Sequence, residues 1–209
     1  MTFLKILALG AGACLLASCA QQPPPMISLA PSACAPGLGV DAGKAIPVPM
    51  GGEVHQAFSA TSDCMYQGDG KPTLYALFRL PERSEPYLLS VRSVRVGMGL
   101  AIPRLYLMNA NSVVLREVDG ESFSFHGSSM LTKLRSHPGE AYLAVAVDTR
   151  YVGQQVSRIS SYFSQSSSTN VIGHALVTTT YGNAGETQDN YVFSFNGIID
   201  VGTEAVPNS

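Results

Sequence analysis

The chain has 209 residues, 45% hydrophobic and 13% charged, with a formal net charge of −2, four cysteines and no tryptophan. That length supports one domain of ordinary size with short appendages, and the 13 Lys and Arg residues are scattered, which speaks against nucleic acid as a partner. The charged fraction is about half of the roughly 25% usual in soluble domains, and 23 serines supply much of the missing polarity.

Residues 1–18 carry Lys5, an apolar run from Ile6 to Leu16 and the small residues Ala17 and Ser18 ahead of Cys19, the layout of a secretory signal. The stretch Leu16-Ala17-Ser18-Cys19 resembles the lipobox of bacterial lipoproteins, which implies cleavage before Cys19 and acylation of that cysteine. An ordinary signal peptide that contains a cysteine is the plainer alternative. Each buried CH₂ of an acyl chain contributes about 0.8 kcal/mol, so several chains anchor a protein that nowhere spans the bilayer. Ala20 follows the cysteine where lipoproteins retained in the inner membrane commonly have Asp, so the resemblance implies the periplasmic face of the outer membrane. The expected organisation is a signal peptide at 1–18, a lipidated N-terminus and tether at 19–51, a β-sandwich domain at 52–203 and a C-terminal tail at 204–209.

From Ala20 to about Met50 the chain is rich in Pro, Ala and Gly and keeps no period of 2 or 3.6, as in a semi-extended tether. Cys34 lies in this stretch and Cys64 follows after it. In an oxidising compartment these two thiols are expected to pair, and a loop of this length contributes about 3 to 4 kcal/mol in the chain-entropy model. Two free thiols are the alternative, and a metal site would need more ligands than this neighbourhood offers.

From Gly52 onward short β-type runs alternate with turn residues. Val54, Gln56, Phe58 and Ala60 alternate with His55, Ala57 and Ser59, while Leu74, Ala76, Phe78 and Leu80 share one face before the turn Pro81-Glu82-Arg83-Ser84. Tyr87, Leu89 and Val91 have one parity and Val94 and Val96 the other, which predicts a bulge near Arg92 or Ser93. Arg104 to Asn109, Ser112 to Val118 and Glu121 to His126 predict a meander with turns at 109–111 and at the hairpin pair Asp119-Gly120. Ala141 to Asp148 is apolar on both faces, as a central strand is. Residues 150–162 carry Tyr151, Val152, Gln155, Val156 and Ile159 and predict a short helix, whereas Ser164 to Asn170 and Gly182 to Asn190 read as exposed loops. With Gly173 to Tyr181 and Asn190 to Asp200 as the last strands, the reading is all-β: an antiparallel β-sandwich or jelly roll with at most one short helix.

The succession Phe78-Arg79-Leu80-Pro81, Tyr87-Leu88-Leu89-Ser90-Val91, Arg104-Leu105-Tyr106-Leu107-Met108-Asn109 and Gly139-Glu140-Ala141-Tyr142-Leu143-Ala144-Val145 resembles the jelly-roll layout of bacterial pre-peptidase C-terminal domains. Over residues 73–200 the chain is similar to the MalM family of periplasmic maltose-operon proteins. That resemblance implies a non-enzymatic accessory lipoprotein in carbohydrate uptake, with a porin or another envelope complex as its partner.

No motif in the sequence carries chemistry. His55, His126, His137 and His174 include no pair at the spacing of a metal-binding helix, and no Gly-x-Ser-x-Gly elbow occurs. Cys19 is expected to be consumed by lipid, and Cys34 and Cys64 by each other. Gln67-Gly68-Asp69-Gly70 and Asp119-Gly120-Glu121 suit turns better than calcium loops, since neither reaches the acidic density of an EF-hand. Residues 182–186 have no helix behind them to make a phosphate cradle. The sequence therefore predicts no catalytic residue, no cofactor and no metal. Two alternatives to an uptake accessory stand beside it. One is a carbohydrate-binding module with a glycan as partner, for which the absence of Trp removes the strongest stacking platform. The other is a structural component of an envelope or secretion complex. For the protein-binding accessory role, residues 164–170 and 182–190 are the candidate contact regions.

Replacing Cys19 by Ala is expected to release the protein from the membrane or to leave it unprocessed. Mass spectrometry of the mature wild-type protein tests the assignment, and an N-terminus other than an acylated Cys19 contradicts it.

Overall fold

The structure, a computed structural model, describes residues 27, 29, 34–172 and 175–206, with the backbone alone for 158, 160–172, 175–183 and 187. Cys19 and His174 lie outside the described residues. In chain order the strands are β1 (Ile46–Pro47), β2 (Glu53–Ala57), β3 (Cys64–Tyr66), β4 (Pro72–Arg79), β5 (Tyr87–Val94), β6 (Gly99–Leu100) and β7 (Pro103–Met108). They continue with β8 (Val114–Val118), β9 (Ser124–His126), β10 (Ser129–Arg135), β11 (Tyr142–Val147), β12 (Gln155–Ile172), β13 (Ala175–Phe193) and β14 (Ile198–Ala205).

Two sheets form the sandwich expected from the alternating runs. One has the order β1-β4-β11-β7-β8, with β3 also paired to β4, and the other the order β2-β14-β5-β10-β9. All their pairings are antiparallel except that of β1 with β4. The chain passes repeatedly from one sheet to the other, as at β4 to β5, β8 to β9 and β10 to β11, in the manner of a jelly roll.

Period-two alternation decides which side chains meet. Leu74, Ala76 and Phe78 of β4, Leu143, Val145 and Val147 of β11, and Leu105 and Leu107 of β7 pack in one core with Tyr87, Leu89 and Val91 of β5 and Ile199 and Val201 of β14. Phe78, Leu89, Leu143 and Val145 are wholly inaccessible, and burying a side chain of this kind stabilises the fold by about 1.5–3 kcal/mol.

β11 is apolar on both faces because its sheet is covered on both. Ala144 and Ala146 lie on the outer side with Tyr75, Leu77 and Met108, in a second cluster completed by Ala45 and Met65, with Leu38 and Val40 packed against it. Residues 34–50, read from sequence as part of the tether, therefore belong to the folded body. β1 pairs with the end of β4 and Val48 is buried in the main core. The segment lacks periodicity because it follows the sheet surface instead of crossing it.

Other departures from the sequence reading have local causes. No helix forms at 150–162: a turn ends at Gly153, whose φ is +91°, and β12 begins at Gln155. β12 runs through 164–170 and β13 through 182–190, so both stretches read as loops are strand. No bulge interrupts β5, which keeps register with β10 and β14 through Val94. Ser93 instead occupies the inward position, fully buried, and donates its hydroxyl to the Ala101 carbonyl. The expected meander is divided between the sheets, β8 pairing with β7 in one and β9 with β10 in the other. Asp119 caps a single 3-10 turn, Gly120–Ser122, its carboxylate accepting from the Glu121 N–H at 3.1 Å, and makes no tight hairpin.

At this crossing a Cβ on Gly120 would lie 2.5 Å from Cγ2 of Ile102, whereas one on Gly68 would meet nothing within 4 Å. Gly120→Ala is expected to cost about 1–3 kcal/mol in urea unfolding, and Gly68→Ala to stay within about 0.5 kcal/mol of wild type. Equal effects at the two positions would contradict this packing.

Candidate functional site

Cys34 and Cys64 form the expected disulfide, with their Cα atoms 4.7 Å apart. Beside it the Ala35 N–H donates to the Cys64 carbonyl at 3.0 Å, and the Tyr66 N–H donates to the Ala35 carbonyl at 3.0 Å. The bridge thus pins the N-terminal segment onto β3. Next to it opens a cleft of about 330 Å³ lined by Gly39, Asp41, Lys44, Gln56, Asp63 and Tyr75, among others. The Tyr75 hydroxyl donates to the Gly39 carbonyl at 3.1 Å; burial and the Asp63 charge raise its pKa, so it stays a donor. Lys44 reaches Asp63 at 3.5 Å, an exposed pair of little energetic weight. The lining holds hydroxyl, amide and carboxylate groups but no histidine and no free thiol. Tyr75 is only 8% exposed, so its ring offers a sugar no stacking face.

Among the described residues three carboxylates are buried, and two of them, Asp148 and Glu140, meet a guanidinium. Burial pushes the Asp148 pKa up, but hydrogen bonds from Arg150, with Nη2 at 2.7 Å, and the charges of Arg150 and Arg104 hold it below the ordinary carboxylate range. Arg150 also lies 3.8 Å from Asp119, joining the end of β11 to the 3-10 turn. Glu140 meets Nη2 of Arg116 at 2.9 Å and accepts from the His137 N–H at 2.9 Å. Burial, and then the charge of Glu140, push the Tyr87 pKa up to about 12. The cavity beside Tyr87 and Glu140 measures about 20 Å³, room for a water-sized molecule and no substrate. Both pairs serve the fold.

The described histidines do not converge. His55 on β2 and His126 on β9 stand on opposite edge strands of one sheet, and His137 lies in the connection before β11. His55 has one close partner: its Nδ1 is 2.6 Å from Oδ1 of Asp200, a residue paired across β14 with both His55 and Arg92.

The feature that sequence reasoning missed is the ribbon of β12 and β13. All 18 residues of β12 pair with β13, from Gln155↔Val192 to Ile172↔Ala175, without a register shift. At roughly 3.3 Å per residue such a strand is about 60 Å long, more than twice the eight-residue β4. Its base is built into the sandwich. Val192 and Phe193 pair with Gly99 and Leu100 of β6, Tyr191 and Phe193 are core residues, and the Tyr151 ring lies 6.2 Å from that of Phe193. Among the described strands β12 pairs with β13 alone, and β13 with β12 and β6. Thr178-Thr179-Thr180, facing Ser167-Ser168-Thr169 in register, carries the β-propensity that could have disclosed the pairing.

In comparison with known proteins, no family model matches this chain and no curated protein matches it.

The hydrogen bond to Asp200, and next the Asp200 charge, raise the His55 pKa above 6.5. A group with a raised folded-state pKa contributes stability that is full below its unfolded pKa and is lost as pH rises through the folded value. Thermal melts of wild type and His55→Gln are therefore expected to differ most in mildly acidic buffer and to converge in alkaline buffer. A Tm gap independent of pH would contradict the pairing.

Proposed function

We propose that this protein is a non-enzymatic lipoprotein on the periplasmic face of the outer membrane that acts by contact, as a structural component of an envelope assembly. Its contact element is the β12–β13 ribbon. The observation that supports this reading is the ribbon's length, about 60 Å from strand geometry, beside a base held by a two-residue strand and a few core aromatics. The buried carboxylates are matched by Arg116, Arg150 and His55 and so suit support better than chemistry. The lipobox-like Leu16-Ala17-Ser18-Cys19 favours tethering, and a tethered sandwich would present its ribbon from a fixed surface. The likeness of residues 73–200 to MalM proteins favours an accessory role beside a carbohydrate-uptake porin as the particular setting.

A second reading is retention of a neutral glycan. The cleft at the disulfide corner favours it, because Asp41, Gln56 and Asp63 line it with hydrogen-bonding groups.

A photoreactive amino acid at Ser167 or at Thr180, which face each other in the ribbon register, is expected to give covalent protein adducts in intact envelopes. The same group at Arg83, in the exposed turn after β4, is expected to give none. Absence of adducts from both ribbon positions contradicts the first reading. Saturable maltodextrin binding in titration calorimetry, lost in Asp63→Asn, would favour the second.

A further inference from the structure

We infer that the ribbon's partner is a second copy of this chain, the β12 edge of one copy pairing antiparallel with the β13 edge of the next. This rests on the reading of the ribbon as the contact element and names what it contacts.

A strand edge presents a row of backbone donors and acceptors to any other strand, and proteins guard such edges with short strands, proline, charge or bulges. The sandwich follows that rule. β1 has two residues and ends in Pro47, β9 has three, β2 carries Glu53 and His55, and β8 carries Arg116 and Glu117. The ribbon does not. Residues 155–193 contain no proline and no lysine, and their register has no bulge. Their charged residues are Arg158, Glu186 and Asp189, all near the base, so 159–185 hold no Asp, Glu, Lys or Arg.

Three features select a second copy as the occupant. The first is length: strands average about 5–6 residues, and an edge of 18 residues is matched along its whole course by another β12 or β13. The second is charge, because a neutral stretch meets its own copy with no like-charge repulsion. The third is that each chain offers both kinds of edge. Pairing β12 with a neighbouring β13 continues the antiparallel alternation and points every ribbon the same way, as copies tethered to one membrane require. A foreign strand would cover one edge and leave the other open. Such head-to-tail pairing closes into a ring or extends into a row. A lipid occupant is disfavoured by the sequence: seven consecutive polar residues at 164–170 lack the period-two apolar pattern of a lipid-facing strand.

The test uses the full protein extracted in mild detergent, with its mass measured by light scattering. Wild type is expected at twice the mass of one chain or more. Ser164→Lys, Ser166→Lys and Ser168→Lys combined, which guard the β12 edge, and Thr178→Lys with Thr180→Lys, which guard the β13 edge, are each expected to fall to one chain, and an equimolar mixture, in which a free β12 edge meets a free β13 edge, to form a two-chain species. Unchanged thermal melting shows that the sandwich is intact; if either variant melts early, the single exchange Ser166→Lys or Thr180→Lys replaces it. Wild type at one-chain mass at every concentration overturns the inference, as does a folded Lys variant of undiminished mass or a mixture that stays at one chain. A single-chain wild type whose ribbon still crosslinks to another protein leaves the contact reading standing and removes only the second copy. A single-chain wild type with no ribbon adducts removes both.

Discussion

Every β-strand points backbone donors and acceptors sideways, and their pairing is the constraint around which this molecule is organised. Within the sandwich the demand is met by interleaving: β11 lies between β4 and β7, and β5 between β10 and β14. The outermost strands are short or carry charge, so the pairing stops there. The ribbon obeys the same constraint internally, through an unbroken register, and leaves it open along its outer sides among the described strands. Isolated two-stranded hairpins are marginal in water, so the unusual length of β12 and β13 gains a physical rationale once a third strand is supplied.

The Asp148–Arg150 pair and the base of the ribbon are parts of one device. Asp148 follows β11, and Arg150, held by that carboxylate, directs the turn that follows. The side-chain amide of Gln154 donates to the Arg150 carbonyl at 2.9 Å. In the same turn the Gly153 N–H donates to the Phe193 carbonyl at 2.7 Å, and the Phe193 N–H to the Gln154 carbonyl at 2.9 Å. The ion pair thereby fixes where β12 leaves the sandwich. Arg150 keeps 41% of its side chain exposed, so breaking the pair costs less than the about 3–5 kcal/mol of a fully enclosed one. The disulfide acts on the outer face of the sheet that holds β11, where the aperiodic segment 34–45 depends on it and on the small faces of Ala144 and Ala146 to stay in place.

What the sequence disclosed follows from which forces act locally. Leu74, Ala76, Phe78 and Leu80, and the doubly apolar run of β11, were legible because burial on one face or two writes itself into a period of two. The pairing of Cys34 with Cys64 was legible from the number of thiols and the secretory layout of residues 1–18. The helix expected at 150–162 was misread because Tyr151 and Val152 belong to a turn, while Val156 and Ile159 have opposite strand parity, Ile159 being 66% exposed. Ser164 to Asn170 looked like a loop by composition; its strand character comes from Val177 to Asn183 across the ribbon, a partner that no local window contains. The cleft was invisible for the same reason, being made where residues 39–44 meet Gln56, Asp63 and Tyr75.

In an isolated antiparallel ribbon only the amides that point across the pair are hydrogen-bonded, so protection alternates along each strand. Residue-resolved hydrogen exchange over 160–172 and 175–190 in the full protein therefore probes directly whether the outer edges are used. Protection of both sets of amides, with the alternation lost, is expected. Fast exchange of every other amide, at the rate of an unstructured peptide and at all protein concentrations, would contradict it.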